Sequence, residues 1–148
     1  MTIQAQNTTL SVSSDSGTTY NKVGAIQTIG DIDFGAKDVI TIDSLDSEII
    51  DKVLGTLKLG SLDLSYTYDP DEPNGNGVIK AAFDATTTTP IKVQIELPNP
   101  ATASGTGTLF TFDAIVPSYK LSGLEKNGFM KSSTSLEMTS KPVVTAAV

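Results

Sequence analysis

Residues 38–75 read DVITIDSLDSEIIDKVLGTLKLGSLDLSYTYDPDEPNG, and the fold turns on how this stretch divides. Its second half is the clearer part. Leu62, Leu64, Tyr66 and Tyr68 alternate with Ser61, Asp63, Ser65 and Thr67, the period of a strand with one dry and one wet face. An earlier strand is expected over residues 38–45, with Ile40 and Ile42 pointing one way and Val39, Thr41 and Asp43 the other. Between the two strands, LDSEIIDKVLGTLKLG carries Leu45, Ile49, Ile50, Val53, Leu54 and Leu57. Burying side chains of this kind is worth roughly 1.5 to 3 kcal/mol each, so a surface loop has no reason to hold them. The excursion therefore needs a partner, either another subunit or the chain's own core. Its spacing suits one or two helical turns capped by Asp46 or Ser47, and Gly55 and Gly60 keep any helix short.

Upstream, residues 1–20 (MTIQAQNTTLSVSSDSGTTY) are rich in Ser, Thr and Asn, with only Ile3, Leu10 and Val12 as larger apolar residues. They read as an N-terminal arm, either frayed or ordered against a neighbouring subunit, ahead of a single domain at 21–148. Residues 20–34 read as a first strand, with Ile26, Ile32 and Phe34 on one face and a bend at Gly30.

Downstream, DPDEPNGNG is dense in turn residues, and GVIKAAFDAT then places Val78, Ile79, Ala82 and Phe83 on one helical face. Asn74 or Asn76 can cap that helix, and the threonines 86–89 followed by Pro90 end it. In IKVQIELP, Ile91, Val93, Ile95 and Leu97 oppose Lys92, Gln94 and Glu96, a regular strand. TLFTFDAIVPSYKLSG gives a long strand facing the core through Phe110, Phe112, Ala114 and Val116, with Pro117 marking an edge or a bulge. A turn over 124–128 leads to a last strand in FMKSSTSLEMTSKPVV, with Met130, Leu136 and Met138 in register. The expected class is all-β with one flanking helix, a small β-sandwich or barrel.

At 148 residues the chain is one domain by length, able to bury roughly 70% of its unfolded surface. Hydrophobic residues make up 39% and charged residues 18%, which excludes a disordered chain. The net charge is -7 and every basic residue is a lysine, so the bidentate guanidinium fork used on phosphate and guanine is missing. Nucleic-acid binding by an exposed face is not expected. Without Cys or His, the chain lacks disulfides, thiolate catalysis and the commonest transition-metal ligand and general base. No signal-like start and no apolar run of membrane-spanning length is present, so a cytoplasmic site of synthesis and no membrane partner are expected.

The remaining chemistries fit poorly. A calcium loop over Asp69 and Asp71 fails because Pro73 stands at a ligand position and Lys80 where a bidentate Glu belongs. The pairs Asp31/Asp33 and Asp43/Asp46 could serve a glycosidase, but Trp is absent and aromatics are only 6%. Gly105 and Gly107 in GTGTLF complete no dinucleotide fingerprint, and no spacing selects a Ser–Lys pair. No enzymatic activity and no cofactor are expected.

The strand ending in Asp43, Ser44, Leu45, Asp46 and Ser47, the bend at residues 52–55, the strand with Tyr66 and Tyr68, and the Asp69, Pro70, Asp71 turn into a helix together resemble the major tail tube proteins of long, flexible-tailed (lambda-like) bacteriophages. The resemblance is one of pattern and covers residues 23–144. It implies a β-sandwich subunit that forms hexameric rings stacked into a tube, located in the virion tail and assembled in the host cytoplasm. The implied partners are the chain itself, the tape-measure protein and tail-tip or terminator proteins, with DNA passing through without specific binding. Some relatives carry an extra immunoglobulin-like domain. This sequence runs to Val148 without one, so no surface-binding role of that kind is expected, and its bend lacks the proline that many relatives have before the glycine. Tubes of contractile tails or secretion systems, and an unrelated β-sandwich binding module, are the alternatives. In a tube, Leu45, Ile49, Ile50, Val53, Leu54 and Leu57 would form the inter-subunit contact. Asp31, Asp33, Asp43 and Asp63 would face an acidic lumen that conducts DNA without holding it.

Overall fold

The computed structural model describes residues 2–3, 5–24, 26–45, 48–69, 75–86 and 89–148. In chain order its elements are β1 (Thr9–Ser13), β2 (Asn21–Lys22), β3 (Ile26–Ile29), β4 (Ala36–Ile42), β5 (Asp51–Lys58), β6 (Ser61–Thr67), α1 (Gly75–Asp84), β7 (Ile91–Glu96), β8 (Leu109–Ser122), β9 (Lys131–Met138) and β10 (Val143–Thr145). The fold is mostly β-sheet with one short helix, as expected from the sequence.

Eight strands form one antiparallel sheet in the order β2-β1-β7-β8-β9-β6-β3, with β10 pairing β8 off that path. Alternation decides which face is dry. Leu62, Leu64 and Tyr66 of β6, Ile91, Val93 and Ile95 of β7, Phe112 and Ala114 of β8, and Leu136 and Met138 of β9 are all buried in one cluster. The register makes this coherent, because Val93 lies opposite Phe112, Ala114 opposite Met138, and Leu62 opposite Leu136. Helix α1 closes the cluster through buried Ile79 and half-buried Val78 and Ala82. Phe83 lies outside that cluster, stacked on Tyr119 at 6.1 Å. Pro117 is exposed and β8 shifts register between Ile115 and Ser118, so the proline sits in a bulge where no ladder N–H is needed.

Four expectations are corrected. Part of the 1–20 arm is core: β1 pairs residue for residue with β7, and Leu10 and Val12 are fully buried. Two apolar residues suffice because the sheet supplies the remaining partners. The single strand over 20–34 is two short ones, β2 and β3, and Ile32 and Phe34 fall after them. The last strand is likewise divided, with β10 turning back onto Leu109, Phe110 and Thr111 of β8. The apolar excursion is a strand rather than helical turns, since β5 pairs antiparallel with β4 in a separate two-stranded sheet. Asn76 is a buried residue inside α1 rather than its cap. Asp46, Ser47, Pro70, Asp71 and Asn74 lie outside the described residues.

Two buried or bonded polar groups carry predictions. The Asp15 carboxylate accepts from the Ser13 hydroxyl at 2.5 Å and from the Thr19 N–H at 2.9 Å, bonds that hold its pKa below the ordinary 3.8. A group with a lowered folded-state pKa stabilises above its unfolded value and stops doing so as pH falls through the folded one. Asp15→Asn is thus expected to melt below wild type at neutral pH and to converge with it in strong acid, read by thermal melts down to about pH 2. The Tyr66 hydroxyl is buried without a hydrogen-bond partner of its own, while the nearby hydroxyls of Tyr119 and Ser132 lie 3.2 Å from each other. Burial pushes the Tyr66 pKa up. Tyr66→Phe removes only that unsatisfied oxygen, so stability should hold within about 1 kcal/mol or rise. A larger loss in denaturant titration would mean that the hydroxyl is bonded.

Candidate functional site

Hairpin β4–β5 and the wet face of the large sheet are the two surfaces with a shape to explain. A two-stranded hairpin is marginal in water unless something packs on it. Within the chain, β4 and β5 pack mainly on each other, and no other element makes a substantial contact with either. The turn into β4 is fixed locally: the Asp33 carboxylate accepts the Gly35 N–H at 2.8 Å, and Gly35 has a φ of +92°, a conformation that favours glycine.

Of the six residues expected at an inter-subunit contact, none is buried. Leu45, Ile49, Ile50, Val53 and Leu54 are exposed and Leu57 is half-buried; Leu54 is 67% exposed and Ile49 76%. Val39, Ile40 and Ile42 of β4, which the sequence reading treated only as strand residues, are exposed beside them. The possibility that this excursion closes the subunit's own core is therefore excluded. Scattered apolar residues on a surface are ordinary, but eight aliphatic side chains on one projecting hairpin and its turn are a contiguous patch.

The wet face of the large sheet is different in character. Ser61, Asp63, Ser65 and Thr67 of β6 lie opposite Glu137, Ser135, Ser133 and Lys131 of β9. A trough of about 370 Å³ is lined there by Thr28, Asp63, Ser65, Lys120, Ser133 and Ser135, among others. Hydroxyl groups dominate it, and its one acid is matched by one lysine. On the neighbouring strands, Lys92 and Asp113 pair at 3.3 Å. The four aspartates expected at a lumen do not share a face. Asp63 lies in the trough, Asp31 and Asp33 sit in the loop before β4, and Asp43 follows β4.

Among the described residues no three of His, Cys, Asp and Glu come together as a metal site, and no helix is long and apolar enough to cross a membrane. Asp69 stands at the end of β6 and Asp71 outside the described residues, so the calcium-loop reading gains no geometry.

No protein-family model and no curated protein matches the chain in sequence. Solved structures do match in fold. A chain of the sheath–tube complex of an extracellular contractile injection system, PVC, in its extended state superposes with a TM-score of 0.75 at 13% identity, covering 99% of this chain and 93% of that one. A chain of the tube-terminating cap of the anti-feeding prophage gives 0.75 at 14%, with 99% and 93% covered. The SPP1 tail tube gives 0.70 at 16%, with 99% and 81% covered. The fold is thus the one found in tail tube assemblies. Contractile systems match at least as well as a phage tail tube, so the likeness does not single out the lambda-like type.

Proposed function

We propose that this chain is the structural subunit of a tail-type tube, built by copies of itself that form hexameric rings and stack into a hollow conduit. The observation that carries the reading is the β4–β5 hairpin, whose aliphatic side chains have no cover within the subunit. A fold shared across tube assemblies over 99% of the chain supports the same conclusion. Leu45, Ile49, Ile50, Val53, Leu54 and Leu57 then form the contact between subunits, and the hydroxyl-lined sheet face forms the wall of the channel.

Of Asp31, Asp33, Asp43 and Asp63, only Asp63 has a position that supports a role at that wall. A wall of hydroxyls with few cations suits the passage of DNA, because each lysine engaged by a phosphate adds counterion-release affinity that slows transit. The tape-measure protein, tail-tip or terminator proteins and a virion tail assembled in the host cytoplasm follow from the phage form of this reading. A tube of a contractile injection system is the second reading, favoured by the match to the PVC sheath–tube complex, and it adds a sheath as partner. Negative-stain electron microscopy of the purified protein tests the assignment. Rings or tubes of uniform diameter are expected, and a monodisperse monomer at every concentration would overturn it. Binding of a sheath protein to the outside of the tube separates the second reading from the first.

A further inference from the structure

The β4–β5 hairpin is apolar on both faces. In an antiparallel pair, residues directly opposite share a face and successive residues alternate. Val39 is opposite Leu54 and Lys37 opposite Leu57, whereas Ile40 is opposite Val53 and Ile42 opposite Asp51. One face therefore carries Val39, Leu54 and Leu57, rimmed by Lys37 and Lys52. The other carries Ile40, Ile42 and Val53, rimmed by Asp51 and by Asp38, which pairs with Lys58 at 3.2 Å. Val39 and Leu54 on the first face and Ile40, Ile42 and Val53 on the second are all exposed, so the hairpin rests on its own subunit through neither.

We propose that the hairpin is clasped between two further copies of this chain, one against each face, so that every hairpin joins three subunits. The inference deepens the tube reading and rests on it. A hairpin laid on one neighbour would leave the aliphatic side chains of its other face in water, where their burial free energy of roughly 1.5 to 3 kcal/mol each goes unused. With fully exposed aliphatic residues taken at roughly 150–200 Å² each, both faces and the turn together offer on the order of 900 Å². A standard interface takes about 800 Å² per partner, and each face alone supplies only about a third of that.

Charge points to copies of the same chain as the occupants. A face rimmed by two lysines finds its complement on an acidic surface, and this chain carries 17 acidic against 10 basic residues. The face rimmed by aspartates needs a different surface. The two contacts are accordingly heterologous, the type that closes rings or extends filaments rather than making two-fold dimers.

Val53 and Leu54 are sequence neighbours on opposite faces, which makes the test direct. Val53→Asp and Leu54→Asp should each keep the wild-type circular dichroism and thermal transition, because both positions are exposed. Each should abolish tubes in electron micrographs while sedimentation velocity shows an oligomer held by the intact face, and the double variant should sediment as a monomer. The absence of native cysteine gives an independent measurement. Thiols introduced by Val53→Cys and Leu54→Cys should both label in the free subunit and both lose labelling in assembled tubes. Wild-type protein that forms no rings or tubes would remove the tube reading itself. Wild-type tubes together with normal assembly of either Asp variant, or with free-subunit labelling at either thiol, would overturn the two-faced clasp alone.

Discussion

Ile50→Asp is expected to leave the subunit folded and to abolish its assembly. Ile50 is 52% exposed in the segment joining β4 to β5, and the core cluster contains no residue of that hairpin. Surface substitutions of this kind stay within about 0.5 kcal/mol, which for a chain of this size moves the melting temperature by only about 1–2 °C. Assembly is affected far more strongly. A carboxylate placed where a neighbour must exclude water stays ionised only at a penalty of several kcal/mol, and each 1.4 kcal/mol is tenfold in affinity. The contact recurs in every subunit, so a polymer amplifies the loss. Sedimentation velocity and electron microscopy at concentrations where wild type forms tubes give the comparison. A variant that lost its cooperative melt would instead place Ile50 in the core, and one that assembled normally would place it outside every contact.

The sequence made the large sheet legible where alternation was clean. SLDLSYT and IKVQIE each put three apolar residues on one face, and both are strands with that face buried. The helix was legible for the same kind of reason, since Val78, Ile79 and Ala82 form one stripe and the residues after Asp84 favour termination. Strand β1 was not. TLSVS alternates over only five residues, and its two apolar side chains gain their burial from pairing with β7, which lies more than 75 residues later in the chain. Long-range pairing leaves no local mark.

The excursion failed for a more informative reason. A strand with one wet face announces itself by period 2, but Val53 and Leu54 point to opposite faces and are both apolar. The spacing of Ile49, Ile50, Val53, Leu54 and Leu57 then matches a helix as well as a strand. The two-sidedness that hid the strand is what leaves two faces for partners to cover. The lumen candidates failed because composition reports how many carboxylates a chain has and not where the loops carry them: Asp33 spends its side chain on the Gly35 turn, while Asp63 follows the strand onto the wet face.

Phe112→Ala should have the opposite signature to Ile50→Asp, losing stability while keeping the surface that assembles. Phe112 is 2% exposed on β8, opposite Val93, and among the described residues it belongs to the one core cluster that strands β1, β6, β7, β8 and β9 share with α1. Truncating a buried phenylalanine removes its transfer free energy and leaves a cavity that the surrounding strands fill only in part, a cost of about 3–5 kcal/mol. Total stability for a domain is about 5–15 kcal/mol, so this is a large fraction of it. The melting temperature should fall by on the order of 10 °C. Thr111, one residue earlier, points away from the core, and Thr111→Ala should shift the melt by no more than about 2 °C. Calorimetry of the three proteins provides the readout, with equal melts for Phe112→Ala and wild type as the result that would remove Phe112 from the core. The hairpin is untouched by this change, so well below its lowered melting temperature the Phe112→Ala subunit should still build tubes, and heating should dissolve them at a lower temperature than wild type. Loss of assembly in the cold with a normal melt would instead tie β8 directly to an inter-subunit contact.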